Sequence, residues 1–237
     1  MRKLSFYLRN AWNMFILMFK RKKLEKLEKV DKEEAEKYLA KVALDWANSI
    51  INSVNIDLEV VGRENIPNEP SLFVGNHQSY LDIMVMLVAV DKPIGFVAKQ
   101  ELRKLPSYWY WMEKVDSVFL DRDNPREGLK AINKAINNVK NGASMGIFPE
   151  GTRSKSDEMG EFKKGSLRIA LKSGCKVVPV TMDGTHKGFE NAQKGLGKVK
   201  VKVTIHKPID VKELGKEEES RLTENIRETI YAQLKRR

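Results

Sequence analysis

The sequence predicts an α/β fold: a single domain with a largely parallel or mixed sheet flanked by helices, preceded by two N-terminal helices. Three observations predict it. After residue 55, short apolar runs of strand length alternate with helical stretches, the pattern of a sheet covered by helices. Before residue 52, the apolar positions recur at helical spacing. A chain of 237 residues, 41% hydrophobic and 32% charged, suits one such domain with a small appendage and fits neither a disordered nor a polytopic protein.

In chain order, "MRKLSFYLRNAWNMFILMFKRKK" carries seven basic residues, no acidic one, and an aromatic and aliphatic middle. It has no small-residue cleavage site, and Leu4 to Phe19 is 16 residues, short of the roughly 20 a spanning helix needs. An interfacial helix is expected instead, with Trp12, Phe15 and Phe19 among lipid headgroups and Lys20, Arg21, Lys22 and Lys23 against an anionic membrane surface. The competing reading is an amphipathic helix docked on the protein's own core. A second helix follows, with Tyr38, Leu39, Val42, Leu44, Trp46, Ile50 and Ile51 as its apolar residues, and the charged "KLEKLEKVDKEE" as connector. Residues 1–52 are thus expected to form a membrane-binding helical motif, and residues 53–237 the α/β domain.

Within that domain, "NIDLEVVG", "SLFVG", "PIGFVAK", "DSVFLD", "SMGIFP", "CKVVPVTM" and "VKVKVTIHK" read as strands. Helices are expected near 80–90, 125–140, 165–173 and 217–236. The second of these is the best punctuated, with Asn124 as cap, Pro125 in the first turn and Gly142 as terminator.

The 43 Lys and Arg against 32 Asp and Glu give a net charge of +11, which calls for an anionic partner. Nucleic acid is not expected, because no recognised motif interleaves basic and aromatic residues, and the basic density accompanies apolar residues at the N-terminus. A single cysteine, Cys175, excludes an internal disulfide framework and suits a reducing compartment. The dispersed three histidines and one cysteine provide no zinc-ligand spacing, so no metal site is expected.

Two stretches carry chemistry. "NHQSYLD", residues 76–82, places His77 and Asp82 five positions apart. On one helix those side chains lie roughly 140° apart, so they meet only if a turn separates them. The apolar "SLFVG" before the motif and a capping signature at Ser79 and Asp82 supply that turn: strand, tight loop, helix. Asp82 then either caps the helix or reaches back to the imidazole. "FPEGTRS", residues 148–154, follows the strand "SMGIFP" and brings Glu150, Gly151, Thr152 and Arg153 to a strand end, where open α/β sheets bind ligands. Gly151 permits close backbone approach, Thr152 offers a hydroxyl and an amide, and Arg153 offers a planar fork for phosphate. A plain turn with a surface arginine is the alternative.

"GASMG", residues 142–146, matches the G-x-S-x-G of serine hydrolases, with Asp183 and His206 following in hydrolase order. That elbow needs a strand before its serine and a helix after it. Here the order is reversed, so Ser144 is kept only as an alternative nucleophile.

"NHQSYLD" followed by "FPEGTRS", with "VFLDR" at 118–122 and "VVPV" at 177–180, resembles the glycerolipid acyltransferase family over residues 58–210. Leu120, where isoleucine is usual, and an N-terminus too short for the family's spanning helix are the departures. The resemblance implies transfer of a fatty acyl group from acyl-ACP or acyl-CoA, the donor substrates, to the sn-2 hydroxyl of lysophosphatidic acid. The product is phosphatidic acid, made in phospholipid biosynthesis at the cytoplasmic face of the cell membrane by a monotopic or peripheral enzyme without a permanently bound cofactor. Glycerol-3-phosphate or another lysophospholipid is the alternative acceptor.

On that reading His77 is the general base and Asp82 its orienter. The substrate hydroxyl is the nucleophile, and no acyl-enzyme forms. The resemblance further implies Arg122 and Arg153 for the phosphate, with Lys99 beside them. Glu150 is expected either to contact polar groups of the substrate or, the preferred reading, to orient Arg153 and its loop. Backbone amides at 76–79 or 149–152 are candidate oxyanion donors. "IMVMLVAV" and "LPSYWYWMEKV" are candidate walls of an acyl tunnel, the "YWYW" cluster also being a candidate membrane contact.

Overall fold

The computed structural model describes residues 2–121, 123–191 and 198–236. Two antiparallel-connected helices come first, α1 (Arg2–Val30) and α2 (Lys32–Ser53). The charged connector expected between them is itself helical up to Val30. Its Lys, Glu and Leu residues are strong helix formers, and Leu24 within it is buried at 1% exposure. The break is confined to Asp31, whose carboxylate accepts from the Glu34 amide at 3.0 Å and caps α2.

The strands are β1 (Ile56–Val61), β2 (Ser71–Gly75), β3 (Gly95–Lys99), β4 (Val118–Leu120), β5 (Met145–Ile147), β6 (Lys176–Asp183) and β7 (Val199–Ile205). The helices after α2 are α3 (Asp82–Val90), α4 (Pro106–Lys114), α5 (Pro125–Lys140), α6 (Arg168–Ser173), α7 (Thr185–Gly188) and α8 (Lys216–Lys235). The described residues form one seven-stranded sheet in the order β1-β7-β6-β2-β5-β3-β4. β6, β2, β5, β3 and β4 are mutually parallel, while β7 pairs antiparallel with β6 and parallel with β1. The expected largely parallel or mixed sheet is therefore a mixed one with a parallel centre. Each expected strand and helix is present, and α4 and the short α7 are helices beyond those the sequence predicts.

The continuous apolar run of β2 follows from its central place. Phe73 packs with α2 and α3 on one face, against Ile50, Val85 and Met182. Leu72 and Val74 pack on the other, with Ala135 of α5 and Ile226 of α8. Covered on both faces, the strand has no polar side to show, and each large buried side chain contributes about 1.5–3 kcal/mol. β7 lies nearer the edge and alternates buried with exposed positions. α5 is punctuated as expected: Asn124 accepts from the Glu127 amide at 3.2 Å, Pro125 opens the helix, and Gly142 follows its end with φ +106°.

Because β6, β2, β5, β3 and β4 are parallel, their carboxyl ends share one sheet edge. "NHQSYLD" follows β2 there, "FPEGTRS" follows β5, and Lys99 is the last residue of β3. The topology thus collects motifs some 70 residues apart at one place.

Candidate active site

The site starts where β2 stops. The Asn76 side chain extends the sheet by one rung, donating to the Met182 carbonyl at 2.9 Å and accepting from the Met182 amide at 2.8 Å. The chain then turns through residues 77–81 into α3, so His77 sits in the loop and Asp82 opens the helix. Asp82 is wholly buried. Its Oδ2 meets His77 Nδ1 at 2.7 Å and accepts from the amides of Gln78 at 2.7 Å and Ser79 at 2.8 Å. Its Oδ1 accepts from the Thr185 hydroxyl at 2.5 Å. The two readings of Asp82 are therefore joined in one carboxylate, which holds the helix entry through the Ser79 amide and faces the imidazole with the same oxygen.

That carboxylate selects the tautomer. Two backbone amides and a hydroxyl already donate to it, so it is the acceptor for a Nδ1–H, and the lone pair of the neutral ring falls on Nε2. The ring lies flat on Phe148, with centroids 4.3 Å apart at 9°. Its side chain is 18% exposed, enough for a substrate to reach it.

The second loop is tied to the first through its backbone. The Ser154 amide donates to the His77 carbonyl at 2.8 Å and the Lys155 amide to that of Gln78 at 3.1 Å. Glu150 clamps the pair, accepting from the His77 amide at 2.7 Å and from the Gly160 amide at 2.8 Å. Burial pushes its carboxyl above the ordinary range, against the pull of those two amides. Glu150 orients the loops as expected, but it does not orient Arg153. That arginine donates from Nη1 to Glu190 at 2.9 Å and lays its guanidinium 3.4 Å from the ring centre of Tyr80. Gly151 adopts φ +70°, and a side chain there would meet Lys163 Nζ at 2.9 Å. Thr152 is exposed beside it.

The amides of residues 77–81 are spoken for: His77 by Glu150, Gln78 and Ser79 by Asp82, Tyr80 by Glu190, and Leu81 by the Ser79 hydroxyl. In the 149–152 loop Pro149 has no amide proton and the Gly151 amide donates to the Phe148 carbonyl at 3.0 Å, so the amides of Glu150 and Thr152 are its candidate oxyanion donors. Lys99 is exposed at the same edge, on β3, with β5 between it and β2. Arg122 lies outside the described residues, so its place is not part of this geometry.

Ser144 sits at the opposite edge, before β5, where its hydroxyl accepts from the Ser71 amide at 3.2 Å. A helix precedes it and a strand follows, the reverse of a nucleophile elbow. His206 instead contacts Thr181 at 2.8 Å. Cys175 is buried, and burial raises its thiol, as suits a packing residue.

An apolar cavity of about 390 Å³ lies between the helical hairpin, α3, α4 and the start of β3, within the size range of ligand sites. Ile83, Met84 and Leu87 line it from "IMVMLVAV", and Tyr108, Trp111 and Met112 from "LPSYWYWMEKV". Both candidate walls thus face one space. The cavity also explains "YWYW": Tyr108 donates its hydroxyl to Asn10 Oδ1 and packs edge-on against Trp46, while Tyr110 lies under the Arg21 guanidinium at 4.3 Å. Of the cluster, Trp109 is the exposed member, at 38%. Phe96 lines the cavity and stacks on Phe148, which stacks on His77. Tyr80 also lines the cavity while carrying Arg153 on its ring.

On α1, Leu4, Leu8, Trp12, Phe15 and Phe19 are each more than half exposed and form one stripe. Phe6 and Leu17, on the far side, face inward. No helix among the described residues is long and apolar enough to cross a membrane. Of the four basic residues that follow, Lys20 is 3.7 Å from Asp45, Arg21 pairs with Glu25 at 2.7 Å, and Lys23 lies over Tyr38 at 4.6 Å. Lys22 alone is without such a partner among the described residues. No group of three or more His, Cys, Asp or Glu among the described residues is placed to hold a metal ion.

The parallel strand ends thus carry a histidine hydrogen-bonded to a buried aspartate, an arginine on the adjoining loop and, through Tyr80 and Phe96, an apolar cavity, the parts of a candidate active site in an α/β fold. Residues 57–183 match the family model described as Acyltransferase. The chain belongs to the acyltransferase family, as its motifs lead one to expect. It is 39% identical over 176 residues to the chloroplastic 1-acyl-sn-glycerol-3-phosphate acyltransferase of Arabidopsis thaliana, covering 73% of this chain and 48% of that one. It is 34% identical over 181 residues to the 1-acyl-sn-glycerol-3-phosphate acyltransferase of Borreliella burgdorferi, covering 76% and 72%. The crystal structure of the 1-acyl-sn-glycerophosphate acyltransferase PlsC from Thermotoga maritima superposes with a TM-score of 0.86 at 33% identity, over 99% of this chain and 93% of that one. This chain matches about half the length of the plant chloroplast relatives.

Proposed function

We propose that this protein transfers a fatty acyl group from an acyl-ACP or acyl-CoA thioester to the free sn-2 hydroxyl of lysophosphatidic acid, forming phosphatidic acid. The observation that carries this reading is the placement of Tyr80. It supports the Arg153 guanidinium on its ring and contributes to the apolar cavity wall, so a group for an anionic headgroup and a space for acyl chains meet at one residue, three positions from His77.

In the reaction, Nε2 of His77 takes the proton of the acceptor hydroxyl as its oxygen attacks the thioester carbonyl. Asp82 stabilises the imidazolium that forms. The amides of Glu150 and Thr152 are the proposed donors to the oxyanion. Collapse breaks the C–S bond, the thiolate departs, and the imidazolium returns the proton to it. The test is an acyl-transfer assay with purified protein across lysophosphatidic acid, glycerol-3-phosphate and zwitterionic lysophospholipids. Transfer to none of them would remove the assignment.

Arg153 supplies binding to the phosphate that is equally strong in ground and transition states. Arg153→Ala is therefore expected to raise KM for lysophosphatidic acid by about 10- to 100-fold with kcat little changed. An unchanged KM would assign the arginine to loop structure alone.

We further propose that the protein works at the cytoplasmic face of the cell membrane, held monotopically by the α1 stripe. Replacing Trp12, Phe15 and Phe19 with serine in the full chain should weaken sedimentation with anionic vesicles at any ionic strength, because the contact is apolar. Replacing Lys20, Arg21, Lys22 and Lys23 with glutamine should weaken it only at low salt, by less than the about 1 kcal/mol per residue of unpaired cations, since three of the four have protein partners. Unaltered sedimentation of the triple serine variant would move the contact away from α1.

A further inference from the structure

Glu190 has no place in the four motif blocks and lies beyond residues 57–183 of the family match, yet it touches both catalytic loops. Its side chain is 8% exposed. Oε2 accepts from the Ser79 hydroxyl at 2.5 Å, and Oε1 accepts from the Tyr80 amide at 3.0 Å and from Arg153 Nη1 at 2.9 Å. Two of these bonds go to the loop that carries His77 and one to the arginine of the other loop. The Tyr80 ring completes the arrangement by covering one face of the same guanidinium.

We propose that Glu190 is a positioning residue that presets Arg153 for the acceptor's phosphate and holds it at a defined spacing from His77. The proposal rests on the acyltransferase reading above. An arginine on a loop samples many rotamers, and an anion that binds it must first collect it into one. Here the carboxylate fixes Nη1 and the tyrosine fixes the plane. The guanidinium keeps Nε and Nη2, which have no protein acceptor among the described residues, for a ligand. Since the same carboxylate is bonded to Ser79 and Tyr80, two and three residues from His77, the anchor and the base cannot drift apart independently. A headgroup held by Arg153 then offers its hydroxyl at a set distance from Nε2.

Glu190 acts through Arg153, which makes the pair testable by a double-mutant cycle in the full-length protein, with lysophosphatidic acid as the varied substrate. Glu190→Ala is expected to raise KM about tenfold while kcat stays within about threefold. Glu190→Gln keeps a carbonyl acceptor for Arg153 and the Tyr80 amide, so its KM should fall between those of wild type and Glu190→Ala. In an Arg153→Ala background, Glu190→Ala should add nothing to KM. A KM within twofold of wild type for Glu190→Ala, or the same increment with and without Arg153, would overturn the proposal. Should Glu190→Ala not fold, Glu190→Gln with and without Arg153→Ala completes the same cycle. A wild-type enzyme that does not acylate lysophosphatidic acid would instead overturn the acyltransferase reading, a result distinct from any Glu190 outcome.

Discussion

His77→Ala is expected to lower turnover by at least about 10²-fold, the usual contribution of a positioned general base. The protein should remain folded. The lost ring gives up its stacking on Phe148, worth about 0.5–1.5 kcal/mol, but Asp82 keeps three other donors and the Glu150 clamp holds a backbone amide that any residue supplies. The measurement is kcat beside a thermal melt. A variant that melts near wild type and turns over within tenfold of it would end the general-base assignment, whatever the fate of the other residues.

Asp82→Asn should reduce turnover less than loss of the histidine, by roughly 10- to 100-fold, while KM for the acceptor stays unchanged. The carboxylate makes four contacts. The amides of Gln78 and Ser79 both need an acceptor at Oδ2, so the asparagine carbonyl takes that place and the amide group turns toward Thr185, whose hydroxyl can accept. His77 then keeps its Nδ1–H and its tautomer. What disappears is the negative charge beside the imidazolium. Stability should fall by about 1–3 kcal/mol, as when buried charge-assisted bonds are weakened. A variant that loses about 1 kcal/mol and keeps full activity would reduce Asp82 to a helix cap.

The glutamate of "FPEGTRS" shows where motif reading stopped. Its position after a strand is enough to bring it to the site, but its partner is not. Arg153 is three residues away and a natural guess; the actual acceptor for that arginine is Glu190, 37 residues on. "YWYW" carried two readings, a cavity wall and a membrane contact. Aromatic residues suit a membrane surface and a cavity wall equally, and only the docking of α4 against the hairpin turned Tyr108 and Trp111 inward.

The sequence by itself determined most of the elements and the family: the strand-loop-helix around His77, the α/β class and the four motif blocks. Those signals lie in hydrophobic period, turn residues and motif spacing, all carried by neighbours a few residues apart. The tertiary structure alone decided the order of the strands, the antiparallel β7, the cavity, and the partners Thr185 and Glu190, which lie 103 residues from Asp82 and 111 from Ser79. A side chain's distant partner leaves no periodic mark on its surroundings. It is chosen when β6 pairs beside β2 and carries the segment beyond its carboxyl end to the same sheet edge, where a buried carboxylate must find donors or lose the free energy of its hydration.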